Sequence, residues 1–288
     1  MSKELWPNGA RLALSLVVNV EEGSEMSVAR GDRGPEPVDE LGVALSKPVR
    51  NYGNESNYLY GITAGAPRVF GLIGSYGFRT TVTAAAQSLE TYPEIARLIT
   101  KDGHETAAHG WRWVHQFRMD EAAERAFIRK AADSIEVTTG SRPTGWLSRY
   151  LLTENTRRLL IEEGFGYHMD DYSDDLPFVD TETVPGNSVV VMPYALDTND
   201  MKMWTDPAYT PGMWAAYACD SIDWLLREGR ERPKMLSIGL HLRIIGRPGR
   251  MAALERVLEH ARRAGDAVWV APRAEIAGRW SAVMGDTP

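Results

Sequence analysis

One cysteine, Cys219, stands among 288 residues, so no internal disulfide can staple the chain, and a reducing compartment fits. No apolar run approaches the roughly 20 residues that cross a bilayer. The opening Met1-Ser2-Lys3-Glu4-Leu5-Trp6-Pro7 is too polar for a signal peptide. These absences predict a cytoplasmic protein with no membrane partner. Positive charge is also scarce: the formal net charge is −7 and the pI near 5.5, which leaves no electrostatic footprint for nucleic acid. The single basic cluster, Arg243 to Arg250, is broken by Ile244, Ile245, Gly246 and Pro248. A phosphate-cradling glycine loop is missing, because Gly246-Arg247-Pro248-Gly249 has the wrong spacing, and so is the Gly-x-Ser-x-Gly elbow. Cys219 falls in an amphipathic helical pattern, which argues against a thiol nucleophile.

What the chain does have is alternation. Apolar runs of strand length, at 11–20, 79–84, 104–108, 143–147, 165–169, 188–193, 235–241 and 267–271, are separated by helical patterns. The clearest helix is 248–264: Pro248 suits a first turn, and Met251, Leu254, Val257, Leu258 and Ala261 share one face. Segment 120–138 repeats that pattern, and 153–164 opens at Thr153 as N-cap and stops at Gly164. Internal repeats and low-complexity linkers are lacking. The alternation predicts an α/β fold, an irregular (β/α) barrel of 7–8 mostly parallel strands in a single domain over 1–288. Gly23 to Asn57, rich in Gly, Pro and charge, reads as a long loop serving as a lid or subunit contact.

In such a barrel functional groups gather where strands end. Read in order, those ends offer Asn19, Glu21 and Glu22; His109; Trp146, Ser148 and Arg149; Asp170 and Asp171; Tyr194, Asp197, Asn199 and Asp200; and His241 with Arg243. Solubility alone would scatter such groups over both ends. Adjacent carboxylates, one of them buried, push their pKa values apart and make one a plausible base. His104 reads as a turn residue, His115 and His260 as surface, and His168 as strand packing. His109-Gly110-Trp111-Arg112-Trp113 carries the sharpest signal. Catalytic zinc usually takes three N, O or S ligands from protein, and one turn after His109, where a second imidazole is wanted, the chain offers an indole.

In this order the motifs resemble the polysaccharide deacetylase superfamily, the fold of nodulation-type chitooligosaccharide deacetylases. Glu21-Glu22-Gly23 stands where that family has Asp-Asp-Gly, and Gly103-His104-Glu105 through His109 matches its His-x-x-x-His motif. Trp146 and Arg149 lie in the region of its arginine-bearing motif, Asp170-Asp171 resembles the motif whose aspartate orients that arginine, and Leu240-His241 matches the one whose histidine acts as general acid. The likeness is closest to the metal-independent allantoinase and cyclic-amide hydrolase branch. It is carried by Asn19-Val20-Glu21-Glu22-Gly23, His109 to Trp113, Pro193-Tyr194 through Asn199-Asp200, and His241-Leu242-Arg243-Ile244 to Arg250. Glu55-Ser56-x-Tyr58-x-Tyr60-Gly61 belongs to it too. Trp146 to Leu152 departs from the allantoinase pattern, and Met201 to Trp214 is richer in Met and Trp.

The resemblance implies hydrolysis of a non-peptide C–N bond in a cyclic amide, ureide or imide, with no cofactor. Glu22 (or Glu21) would be the base, His241 the acid, and His109 with Arg149 the groups that polarise the carbonyl. Asn19, Trp111, Trp113, Trp146, Asp171, Tyr194 and Asn199 would contact a small-molecule substrate, and the family implies a homo-oligomer. Three alternatives stay open. One is an N-deacetylase of an amino sugar holding zinc or another divalent metal through Glu22, His109 and a third ligand such as His115, although a spacing of six is wrong for one helix face. The others are a cyclic-imide hydrolase and an inactive module that binds a ligand through its aromatics.

Overall fold

The computed structural model describes residues 4–40, 42, 47–205 and 207–284. Nine strands form one curled sheet: β1 (Leu12–Val20), β2 (Thr81–Ala84), β3 (Glu105–Ala108), β4 (Gly145–Trp146), β5 (Tyr167–His168), β6 (Phe178–Asp180), β7 (Val189–Val191), β8 (Lys234–His241) and β9 (Val268–Val270). Their order is β6-β7-β5-β4-β3-β2-β1-β8, with β9 also on β1. Every pairing is parallel except β6 with β7. The result is an α/β half-barrel. All eight expected strands are present, and β6, a short antiparallel edge strand, is an addition.

Around the sheet pack α1 (Tyr52–Tyr60), α2 (Ala66–Ser75), α3 (Ala86–Thr91), α4 (Pro93–Lys101), α5 (Glu121–Thr139), α6 (Thr156–Glu162), α7 (Pro211–Glu228), α8 (Leu242–Ile245), α9 (Pro248–Arg263) and α10 (Arg273–Met284). A π-helical turn over 61–65 joins α1 to α2. Segment 153–164 is helical only from Thr156; Thr153 accepts from the N–H of Asn155 through its hydroxyl instead of capping the helix directly. The stretch 23–57 needs a larger correction. Its last six residues are helix α1, started by Asn51, whose side chain accepts from the Asn54 N–H. Glu25, Glu36 and Asp39 within it are buried.

The two faces of β1 explain the architecture. Leu12, Leu14, Leu16, Val18 and Val20 join the core against the helices, while Ala13 and Val17 join a separate cluster inside the barrel. Successive strand side chains point to opposite faces, so both sets are apolar because both faces are covered. Each fully buried aliphatic side chain contributes about 1.5–3 kcal/mol. On β8 the same alternation sends Leu236, Ile238 and Leu240 to the helices and Met235 inward. The sheet is open between its edge strands, β6 and β8. The chain after β7 crosses that opening: Ala195 N–H donates to Ser237 Oγ at 2.8 Å and Thr198 Oγ1 to the Ser237 carbonyl at 2.6 Å.

Candidate active site

Inward alternation carries Asn19, Glu21 and His241 to the C-terminal rim of the sheet, and His109 follows β3 to the same place. Together with Trp113, Ser148, Arg149, Tyr150, Tyr172, Tyr194 and Asn199 they line a cavity of about 240 Å³. The Nε2 atoms of both imidazoles face a single oxygen: Glu21 Oε1 is 3.6 Å from His109 and 3.4 Å from His241. The other Glu21 oxygen accepts from Arg243 Nη1 at 2.8 Å. All four residues are buried.

Electrostatics divides their roles. Burial raises the Glu21 pKa, but the charges of Arg243 and His241, with the Nε2–H of His241, hold it well below the ordinary carboxylate range. Burial alone would lower the His241 pKa. The carboxylates of Asp200 and Glu21 outweigh that and push it up to about 10. Asp200 grips His241 twice, with one oxygen 2.6 Å from Nδ1 and the other accepting the backbone N–H at 2.7 Å. His241 is therefore an imidazolium at neutral pH, with Nε2–H directed at Glu21.

His109 is set differently. Its Nδ1 lies 2.7 Å from the Leu147 carbonyl, which can only accept, so the ring proton belongs on Nδ1. Nε2 is then an acceptor, and Trp113 Nε1–H donates to it at 3.2 Å. The Trp113 indole is itself flanked by cations, with the Arg149 guanidinium 3.6 Å and that of Arg243 5.6 Å from a ring centroid. Each guanidinium meets a glutamate from one short stretch of chain. Glu36 binds both Nη atoms of Arg149, and Glu40 Oε1 lies 3.0 Å from Arg243 Nε.

Residues 57–169 match the family model for polysaccharide deacetylase. A Schizosaccharomyces pombe protein assigned to the polysaccharide deacetylases is 33% identical over 96% of this chain and 92% of its own length. The chain belongs to the polysaccharide deacetylase family. A structure of a polysaccharide deacetylase-type protein from Pseudomonas aeruginosa PAO1 superposes with a TM-score of 0.91 at 42% identity, covering 96% of this chain and 93% of its own. That of PuuE allantoinase gives 0.93 at 40% identity, covering 98% and 94%. The family is one of hydrolases that cleave C–N bonds outside peptides.

Within this deacetylase fold the expected site residues separate. Glu21, His109, His241, Asn19, Trp113, Tyr194 and Asn199 converge on the cavity. Glu22 does not line it: one step further along β1's alternation, its carboxylate turns outward, accepting from the N–H groups of Arg243 and Glu21 at 3.2 and 3.1 Å. It lies against Gly61, where a Cβ would be 2.3 Å from Glu22 Oε1. Burial and the neighbouring Glu21 raise its pKa to about 7 against the pull of Arg243. Arg149 lines the wall, with both terminal nitrogens bonded to Glu36 or the Trp113 carbonyl, so for the polarising role expected of it only the buried, unpartnered Nε–H is left uncommitted. Trp146 faces outward between Phe127 and Phe165. Trp111 donates to Glu90 beneath Lys130, outside the cavity. Asp171 caps a turn at Ser173. Asp170 binds Ser148, not Arg149. His115 bonds the Arg149 carbonyl away from the cavity.

Sequence reading placed Asp200 and Arg243 at strand ends but left them off the candidate list, and it missed Glu36 and Glu40 entirely. Only Asp200 left a usable signal, a carboxylate beside Asn199 in the segment that crosses to β8. The divalent metal of the N-deacetylase alternative does not fit the donors present. Trp113 supplies no ligand and occupies His109 Nε2, Glu22 is turned away, and Arg243 and His241 place positive charge beside Glu21. Among the described residues no three His, Cys, Asp or Glu side chains converge as ligands would. No helix there is long and apolar enough to cross a membrane.

Proposed function

We propose that this chain, acting as a single catalytic domain, opens a cyclic amide or ureide ring by hydrolysis, in the manner of an allantoinase and without a bound metal. The observation that carries this reading is the pair of imidazoles facing one oxygen of Glu21 while an indole N–H donates to His109 Nε2, where a metal would have to bind. The likeness to PuuE allantoinase over nearly the whole chain supports it, as does a cavity sized for one small ring.

Glu21 Oε1 takes a proton from the attacking water as its oxygen bonds to the ring carbonyl carbon. His241 Nε2–H then protonates the departing ring nitrogen as the C–N bond breaks. Loss of that cation, once Glu21 has taken its proton, removes part of what keeps Glu21 acidic, so the carboxyl holds that proton until the pair is reset. After product leaves, the proton on Glu21 returns across 3.4 Å to His241 and the pair is reset. Positioned acid and base groups each contribute about 10² to 10⁴-fold. Activated ring carbonyls need less electrophilic help than acetamides, which favours ring opening over sugar deacetylation. Glu22 serves to shape the turn, and Arg149 to hold Trp113.

The cavity's apolar side, Leu147, Leu196 and Met201, favours a cyclic imide as second substrate class, since a succinimide-like ring presents fewer polar groups. Met213, Tyr217 and Trp224, exposed along α7, support assembly into a homo-oligomer, and the lone half-buried thiol of Cys219 supports a cytoplasmic setting. The test is a panel of allantoin, hydantoins, cyclic imides and N-acetylated sugars, each assayed with and without chelator. Ring opening that ignores the chelator is expected. Turnover of acetylated sugars alone, abolished by chelator, overturns the proposal.

A further inference from the structure

Resting on that reading, we propose that the phenol of Tyr150 is a further catalytic residue, donating its O–H to the carbonyl oxygen of the ring as negative charge develops there. Several of the cavity's donors are committed elsewhere; Tyr172 and Lys202 line it too, and what sets Tyr150 apart from them is its backbone. Asn19 spends its amide on Tyr194 and the Leu240 carbonyl, Ser148 its hydroxyl on Asp170, and Trp113 its N–H on His109. Arg149 is held by Glu36 and the Trp113 carbonyl. The proton on His241 is needed for the leaving nitrogen. Tyr150 lines the same cavity as Glu21 and His241, and its hydroxyl takes part in no hydrogen bond among the described residues.

Its backbone is the second observation. Tyr150 has φ +54°, a left-handed conformation found at only one other non-glycine among the described residues, and one that a bulky side chain adopts at a cost. Such strain persists where flanking contacts enforce it, and it concentrates at functional sites. Here the enforcement is visible. Ser148 N–H and Oγ are fixed by Asp170, the Arg149 guanidinium is fixed by Glu36, and the Tyr150 N–H closes a tight turn onto the Ser148 carbonyl at 2.9 Å. The turn swings a half-exposed ring over the cavity. The phenol pKa is raised, first by burial and then by Glu21 and Asp200, against Arg149 and Arg243, so the hydroxyl keeps its proton throughout the working range.

Two variants test the role. Tyr150→Phe keeps the ring and backbone and removes the donor; kcat on the ring substrate should fall by about 10²-fold, with KM changed less than about threefold, as for loss of one oxyanion donor. Tyr150→Gly relieves the left-handed strain; its Tm should rise by about 2 °C while activity is lost. A Tyr150→Phe enzyme with wild-type kcat overturns the donor role and leaves ring hydrolysis standing. A wild-type protein that opens no ring overturns the functional reading and this role with it.

Discussion

Replacing Asp200 by Asn keeps the shape of the His241 contact and removes its charge. The lift of the His241 pKa from 6.5 to about 10 represents roughly 5 kcal/mol of preference for the imidazolium, at about 1.4 kcal/mol per tenfold. Burial opposes that lift, and Asp200 is the larger of the two carboxylates that produce it. Its removal should therefore forfeit at least about half, bringing the pKa to about 8 or lower. For the wild type, kcat/KM needs Glu21 ionised and His241 protonated, so the profile should stay flat through neutrality and fall only as pH rises through about 10. In Asp200→Asn that alkaline limb should move down to about 8 or below, with kcat reduced about 10² to 10⁴-fold at neutral pH. Stability follows the same group. Because the folded pKa lies above the unfolded one, His241 stabilises fully below pH 6.5, and the contribution is lost as pH rises through about 10. Denaturant midpoints across that window should decline in the wild type and stay flatter in the variant. An NMR titration of the His241 ring gives the pKa without any substrate. A variant whose ring and rate profile both still titrate near 10 would refute the reasoning.

Further changes probe the rest of the site. Trp113→Phe removes the N–H that fixes His109 Nε2 and keeps an aromatic face for Arg149; kcat should drop about tenfold, in line with the roughly 1 kcal/mol of one hydrogen bond, and unchanged kcat would mean that the indole N–H plays no part. Glu36→Gln leaves the buried Arg149 without its carboxylate; about 3–5 kcal/mol should be lost, seen as a Tm lower by roughly 10 °C, and an unshifted melting curve would contradict that. Gly239→Ala would place a Cβ 2.2 Å from the Tyr194 hydroxyl and 2.5 Å from Asn199 Nδ2; expected costs are about 1–3 kcal/mol of stability and a raised KM, and wild-type kinetics would show that Tyr194 can move freely.

Much of the fold was legible because strand and helix here have distinct periods. Runs such as Leu12–Val20 and Lys234–His241 are too long, apolar and β-branched to read otherwise. β6 escaped because Phe178–Asp180 is a three-residue edge strand without a buried face. Helix α1 escaped because Tyr52–Tyr60 is rich in Gly, Asn and Ser, poor helix formers whose placement tertiary packing decides. The choice between Glu21 and Glu22 was within reach. Period two puts Asn19 and Glu21 on one face and Glu22 on the other, and the same count sends Trp146 outward while Leu147 lines the cavity. The partners of the arginines were not within reach: Glu36 and Arg149 are 113 residues apart, and nothing local in a Gly- and Pro-rich stretch signals which charge it will meet.

Glu36 and Glu40, four positions apart on one strap of chain, fasten two cations that both lie against the same indole. If that strap lifts, Arg149 and Arg243 each lose a carboxylate in one event, and the setting of Trp113 and the cavity wall change together. Amide exchange across 25–40 should consequently slow and quicken in step with turnover.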